Sequence, residues 1–175
     1  MKNTYITTDT HFNHELLTRL CKRPEDYEAQ IIKGFEILKA EDTLIHLGDI
    51  CMGDVKGVHE KIIQKIPCKK TLIKGNHDDK SYNWYMDNGW DFVCDRFDAK
   101  LYGYKIAFTH KPIPWDGEFD VNVHGHLHDL PHRADKTNFI NALVSLELHG
   151  YTPLKLDKFL DKWKKDIWRN HETSN

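Results

Sequence analysis

The chain has 175 residues, 39% hydrophobic and 30% charged, with a formal net charge of -2. That length builds one domain with a sizeable core and is short for two. The balance excludes a disordered chain, and the near-neutral charge speaks against a protein that holds long DNA stably. No apolar run approaches the ~18 residues a spanning helix needs. Met1–Lys2–Asn3 leads directly into an apparent strand, so no signal peptide is expected. Cys21, Cys51, Cys68 and Cys94 are scattered and form no C-x-x-C, which reads as reduced thiols in a cytoplasmic protein with no membrane partner.

Taken in chain order, Tyr5–Ile6–Thr7–Thr8 reads as a strand ending at Asp9–Thr10–His11. A helix is predicted from about Glu25 to Lys39, with Pro24 near its start and Tyr27, Ile31, Ile32, Phe35 and Leu38 on one face. Thr43 to Leu47 is a strand stopping at Gly48–Asp49, and Val58 to Ile66 a helix ended by Pro67. Thr71–Leu72–Ile73 is a strand stopping at Gly75–Asn76–His77–Asp78, followed by a short helix around Tyr82–Met86. Phe92–Cys94, Ala99–Leu101 and Tyr104–Phe108 read as a β-meander that stops at Thr109–His110. Val121–Val123 runs into the stretch His124–Gly125–His126–Leu127–His128, and Leu143–Leu148 gives one more strand. From Leu156 to Trp168 a helix is expected, with Leu156, Phe159, Leu160, Trp163 and Ile167 as its apolar stripe. That stripe docks on its own domain or forms a dimer contact, so the chain is expected to be a monomer or homodimer. The pattern as a whole is α/β.

Twelve histidines stand out in the composition. Five strands stop at Asp, His or Asn, usually beside a glycine. In α/β sheets, ligands gather beyond strand carboxyl ends. Carboxylates, imidazoles and one amide meeting at such an edge suit a pair of divalent transition metals better than calcium, which prefers all-oxygen cages. If the strand at Val121 continued, His124, His126 and His128 would share one face. Taken singly, Asp9, Asp49 and Asn76 read as turn or cap residues. His46, inside an apolar strand, reads as a buried, hydrogen-bonded histidine. His14 stands at an expected helix start and is either a phosphate contact or a helix-start residue. Arg23 and Lys111 are candidate phosphate contacts or solvated charges. Trp115, in the rigid stretch Pro112–Gly117, either stacks on a nucleotide base or pins its loop to the core.

In order, Asp9–Thr10–His11, Gly48–Asp49, Gly75–Asn76–His77–Asp78, His110 and Gly125–His126–Leu127–His128 resemble the D-x-H, G-D, G-N-H-[DE], lone His and G-H-x-H blocks of the calcineurin-like metallophosphoesterase superfamily. The opening from Asp9 to His14 is similar to the D-T-H-F-x-H start of its small, uncapped bacterial and phage members. The resemblance implies a four-layer α/β/β/α sandwich with two packed mixed β-sheets, in one domain over 1–175 whose last part, 154–175, is the C-terminal helix and tail. It implies two divalent ions, manganese first, with iron, nickel or zinc as alternatives. Asp9, His11 and His128 would hold one ion; Asn76, His110 and His126 the other; Asp49 would bridge them. A hydroxide between the ions would attack phosphorus, His77 would assist the leaving group, and Asp78 could orient His77. His124 is left to the strand or to orienting a ligand.

The expected activity is phosphoester hydrolysis. The absence of a capping insertion favours a phosphodiesterase acting on a nucleotide or another phosphodiester. The alternatives are a phosphomonoesterase or phosphatase, and a non-catalytic binding scaffold on the same fold. A nuclease acting on long DNA is disfavoured by the charge. The scaffold is disfavoured because all seven expected ligands and His77 are present.

Overall fold

The computed structural model describes residues 2–129 and 140–172, with side chains through residue 166 in the last helix. Its strands are β1 (Thr4–Thr7), β2 (Thr43–His46), β3 (Lys69–Ile73), β4 (Phe92–Cys94), β5 (Arg96–Leu101), β6 (Tyr104–Thr109), β7 (Val121–His124), β8 (Asn141–Leu143) and β9 (Leu154–Lys155). The helices are α1 (Leu17–Leu20), α2 (Tyr27–Phe35), α3 (Val55–Lys61), α4 (Tyr82–Asp87) and α5 (Leu156–Glu172). Two mixed sheets form, one ordered β4-β3-β2-β1-β9 and the other β5-β6-β7-β8. In the first, β1 to β4 run parallel and β9 pairs antiparallel with β1. In the second, β6, β7 and β8 are parallel and β5 closes a hairpin on β6.

Strand alternation separates two cores. Tyr5, Leu44, Leu72 and Val93 face the helices, where Tyr27, Ile31 and Phe35 of α2, Val58 of α3 and Tyr85 of α4 meet them. Ile6, Ile45 and Ile73 face the opposite way and pack on Ile106, Phe108, Val121 and Val123 of the second sheet. The stripe Leu156, Phe159, Leu160 and Trp163 of α5 is buried in that same core, with Trp163 edge-on to Tyr104. The stripe therefore packs on its own domain; the side chain of Ile167 lies outside the described residues. The expected α/β fold, with two packed mixed sheets and a C-terminal helix, is the one observed.

Four local expectations need correction, the first being the helix expected to reach Lys39, which ends at Phe35. Phe92–Cys94 is not part of a meander: it is the edge strand of the first sheet, pairing with Thr71–Ile73, and the chain crosses to the second sheet before Arg96. Val93 belongs to the helix-side core and Phe97 to the core between the sheets, so one flat ribbon cannot serve both. Leu143–Leu148 is likewise not one strand. Residues 144 and 146 would share a face in a strand, yet Val144 enters the inter-sheet core and Leu146 the helix-side core. The chain turns instead through a 3-10 segment, Leu146–Leu148. The helix expected over Val58–Ile66 starts earlier, at Val55, because the Asp54 carboxylate caps it by accepting the Gly57 amide at 2.9 Å. It ends at Lys61 and gives way to a 3-10 turn over Ile63–Lys65.

Candidate metal centre

The carboxyl ends of β1, β2, β3, β6 and β7 open on one edge, and loops leaving them carry the expected ligands. The loops after β1 and β2 continue the sheet ladder past the strands: Asp9 N–H donates to the Gly48 carbonyl at 2.8 Å, His11 N–H to Asp49 at 3.1 Å and Phe12 N–H to Ile50 at 2.9 Å. The backbone is left-handed at Asp9, His11, Asp49, His126 and His128, five of the seven expected ligands. Non-glycine residues rarely adopt that conformation, which costs about 1–2 kcal/mol each and clusters at functional sites. It also ends the idea of a continuing β7, which stops at His124. Gly48 has a φ of 95° and its Cα hydrogen faces the backbone of Gly75, so a side chain there would drive the β2 and β3 loops apart. Gly125 lies so close to Thr8 and Asp9 that a Cβ would meet their side-chain oxygens.

Three groups with metal-ligand spacing occur among the described residues; one is Cys21, His128 and Glu147, and the expected ligands make up the other two. Asp9, His11 and His128 form one, with Asp9 Oδ1 at 3.7 Å from His11 Nε2 and 3.6 Å from His128 Nε2. Asp49, His110 and His126 form the other, with His110 Nε2 at 3.4 Å from Asp49 Oδ2, 3.1 Å from His126 Nδ1 and 3.1 Å from Asn76 Oδ1. Asp49 stands between them, since the same Oδ2 is 3.6 Å from His11 Nε2. Ligands each ~2.1 Å from one tetrahedral ion are separated by about 3.4 Å, so both clusters have the spacing of a coordination shell.

Hydrogen bonding supports the fit. Asp9 Oδ2 accepts from Thr8 Oγ1 and from His126 N–H at 2.8 Å, whereas Asp9 Oδ1 is buried without a partner among the described residues. His110 Nδ1 donates to the Leu47 carbonyl at 2.7 Å, which directs its Nε2 into the second cluster. Burial alone would raise the carboxyl of Asp9, but the nearby imidazoles of His11, His128 and His110 outweigh it and hold it well below the usual range. For Asp49, burial is likewise outweighed by His110, and the carboxyl is lowered. Burial would depress His128, yet its bonds with Cys21 and Glu147 and the charge of Asp9 push it up to about 10. The field that draws a proton to these nitrogens is one that favours a cation.

No family model matches the chain. It is 28% identical to an uncharacterised protein of Methanocaldococcus jannaschii over 94% of both chains. It is 36% identical to the Gene 66 protein of Mycobacterium phage L5 over 84 residues, 45% of this chain and 41% of the phage protein. A solved protein of unknown function from Aquifex aeolicus superposes with a TM-score of 0.75, at 24% identity, over 93% of this chain and 99% of the other. The two share a fold.

The remaining expected site residues separate by burial. The His77 side chain is 39% exposed, with Nε2 at 3.9 Å from Asp49 Oδ2 and its backbone N–H donating to Asp49 Oδ1 at 2.8 Å. His14 lies beside it, its ring 5.3 Å from that of His11 and 6.3 Å from that of His77. Asp78 does not orient His77. Its buried carboxylate accepts the backbone N–H groups of Asp49 at 2.8 Å, Ile50 at 3.0 Å and Gly75 at 2.7 Å, clamping the β2 and β3 loops together. Arg23 is not a surface phosphate contact either. It is buried, donates to the carbonyls of Asp9 and Thr10, and pairs with Glu147 at 2.8 Å. Lys111 is exposed, and Trp115 is 62% exposed, so the indole does not pin its loop into the core. His46 is buried as expected. All four cysteines are free thiols.

Glu147 is the residue that sequence reasoning missed. Its Oε1 lies 2.9 Å from His128 Nδ1 and also accepts from Arg23, while Oε2 accepts from Ser145 Oγ at 2.7 Å. Burial would raise its carboxyl, but His128 and Arg23 outweigh that and hold it down at about 2. The ionised carboxylate faces His128 Nδ1 and so turns Nε2 towards Asp9, the arrangement that orients a metal-bound histidine.

Proposed function

We propose that the protein is a metal-dependent phosphoester hydrolase of the calcineurin-like metallophosphoesterase superfamily, acting on phosphodiesters. The observation that carries this reading is the pair of carboxylate–imidazole clusters joined through Asp49 Oδ2, with a buried, unpartnered Asp9 oxygen aimed into one of them. Asp9, His11 and His128 would hold one divalent ion; Asn76, His110 and His126 the other; Asp49 both. Such ions, manganese first among them, supply positive charge for phosphoryl oxygens and make water acidic enough to react at neutral pH.

The chain's own groups do the rest. Asp9, His11, Asp49, His110 and His128 are buried and hold position, whereas Asn76 and His77 are exposed on the β3 loop, where His77 can reach substrate. Its imidazole protonates the departing oxygen. Asp78 keeps the loop carrying His77 against the loop carrying Asp49. His14 adds a second imidazole on the same side.

The test is hydrolysis of bis-p-nitrophenyl phosphate and p-nitrophenyl phosphate by metal-stripped protein resupplied with Mn, Ni, Mg, Zn or Ca. Cleavage is expected to return with transition metals and to be faster on the diester. His77→Ala should keep its metal content and lose about 100-fold or more in kcat. Faster monoester cleavage would make the protein a phosphatase, and folded, metal-loaded protein inert on both would point to a binding scaffold.

A further inference from the structure

Two cavities flank the proposed centre and have Asn76 in common. They differ in chemistry. The larger, a groove of about 650 Å³, is walled by Ile113, Pro114 and Trp115, with Lys111 and His110 alongside. The smaller, about 370 Å³, is lined by His11, His14, Leu17, Leu20, His77 and His128. A phosphodiester places two substituents on one phosphorus, and a phosphorus near Asn76 would send one into each cavity.

The groove suits one particular substituent. The indole of Trp115 is held by its Nε1–H donating to the Phe119 carbonyl at 3.0 Å, which leaves the ring exposed for stacking. Of the cations around it, Arg96 is paired with Asp98 and Asp116, and Lys74 donates to the Lys80 carbonyl and lies over Tyr82. Lys111 makes no ion pair among the described residues, so its ammonium can meet a ring oxygen or a further phosphate. A flat π face and an anion beside it describe a nucleotide. The smaller cavity offers no aromatic platform beyond its histidines, and it contains His77.

We infer that the substrate is a nucleoside-bearing phosphodiester, oriented so that the base stacks on Trp115 and the alcohol on the His77 side departs. This rests on the phosphodiesterase reading above. Water adds its oxygen to phosphorus, the P–O bond facing His77 breaks, and the departing alkoxide takes a proton from His77. The imidazole is then restored by the proton that the water gave up. The products are an alcohol and a nucleoside monophosphate that stays in the Trp115 groove.

Two esters with one leaving group test this: the p-nitrophenyl ester of thymidine 5'-monophosphate and methyl p-nitrophenyl phosphate, both with manganese-loaded protein. The nucleotide ester should have a kcat/KM about 10-fold or more higher. Trp115→Ala should erase that advantage while leaving the methyl ester within about 2-fold, because stacking is lost and the centre is untouched. Thymidine 5'-monophosphate should bind by calorimetry, and more weakly to Trp115→Ala. Equal rates on the two esters, or an equal loss on both in the variant, would overturn the inference. If neither ester is cleaved, the hydrolase reading falls by itself, and calorimetry decides the groove: binding that depends on Trp115 upholds the base site, and its absence overturns it.

Discussion

At the scale of single residues, the centre is held by pairs that are far apart in sequence. Glu147 and His128 meet across the mouth of the second sheet, with Arg23 fixing Glu147 from below. Glu147→Gln keeps the shape but removes the carboxylate charge that faces His128 Nδ1. Metal affinity should fall by about 10- to 100-fold, read by titration against a competing chelator; an unchanged affinity would show that His128 needs no such partner. The proposed ligands were legible because each sits in a short block just past a strand, where Asp, His and Asn beside glycine are conspicuous. Glu147 was not, because it lies in a stretch that reads as a strand and its partners are fixed only by the tertiary fold. The same limit applies to Arg23 and Asp78. Side-chain type announces a charge, but only packing tells whether that charge faces substrate or clamps backbone.

At the scale of elements, the loops after β1 and β2 are tied by His46. Its Nδ1 accepts the Gly48 amide at 3.1 Å, so its proton sits on Nε2, 3.1 Å from Thr10 Oγ1, which donates onward to the Ile50 carbonyl at 2.8 Å. Burial holds this imidazole down at about 3, against an ordinary 6.5. The unfolded chain binds a proton as pH falls below 6.5 and the folded chain does not until near 3. Stability from this group is therefore complete above pH 6.5 and declines as pH falls through the window, by up to about 1.4 kcal/mol per pH unit. Urea denaturation of metal-free protein should give a shallower pH slope for His46→Gln between pH 6.5 and 3; parallel slopes would assign the effect to other groups. The sequence marked where most strands and helices stand, since their apolar periods are clear. It misled where one apolar run supplies two cores, at Phe92–Phe97 and Leu143–Leu148, because periodicity cannot reveal a change of sheet.

At the scale of the molecule, the clusters bridge the two sheets. Asp9, His11 and Asp49 hang from the first, and His110, His126 and His128 from the second. An ion bound there would act as a cross-strut between layers joined by apolar packing and by a few hydrogen bonds such as His110 to Leu47. Metal at about 1,000 times its dissociation constant adds roughly 4 kcal/mol, so stripping it should lower the melting temperature by about 10 °C in calorimetry; an unchanged melting curve would mean that the site binds no ion tightly. The contact of Gly48 with Gly75 has a further consequence. It leaves no slack for insertions or deletions between those strands and their ligands, whereas the stretch carrying Lys111 and Trp115 lies on the surface. Descendants of this chain can therefore exchange that outer loop, and with it what they recognise, while inheriting the centre unaltered.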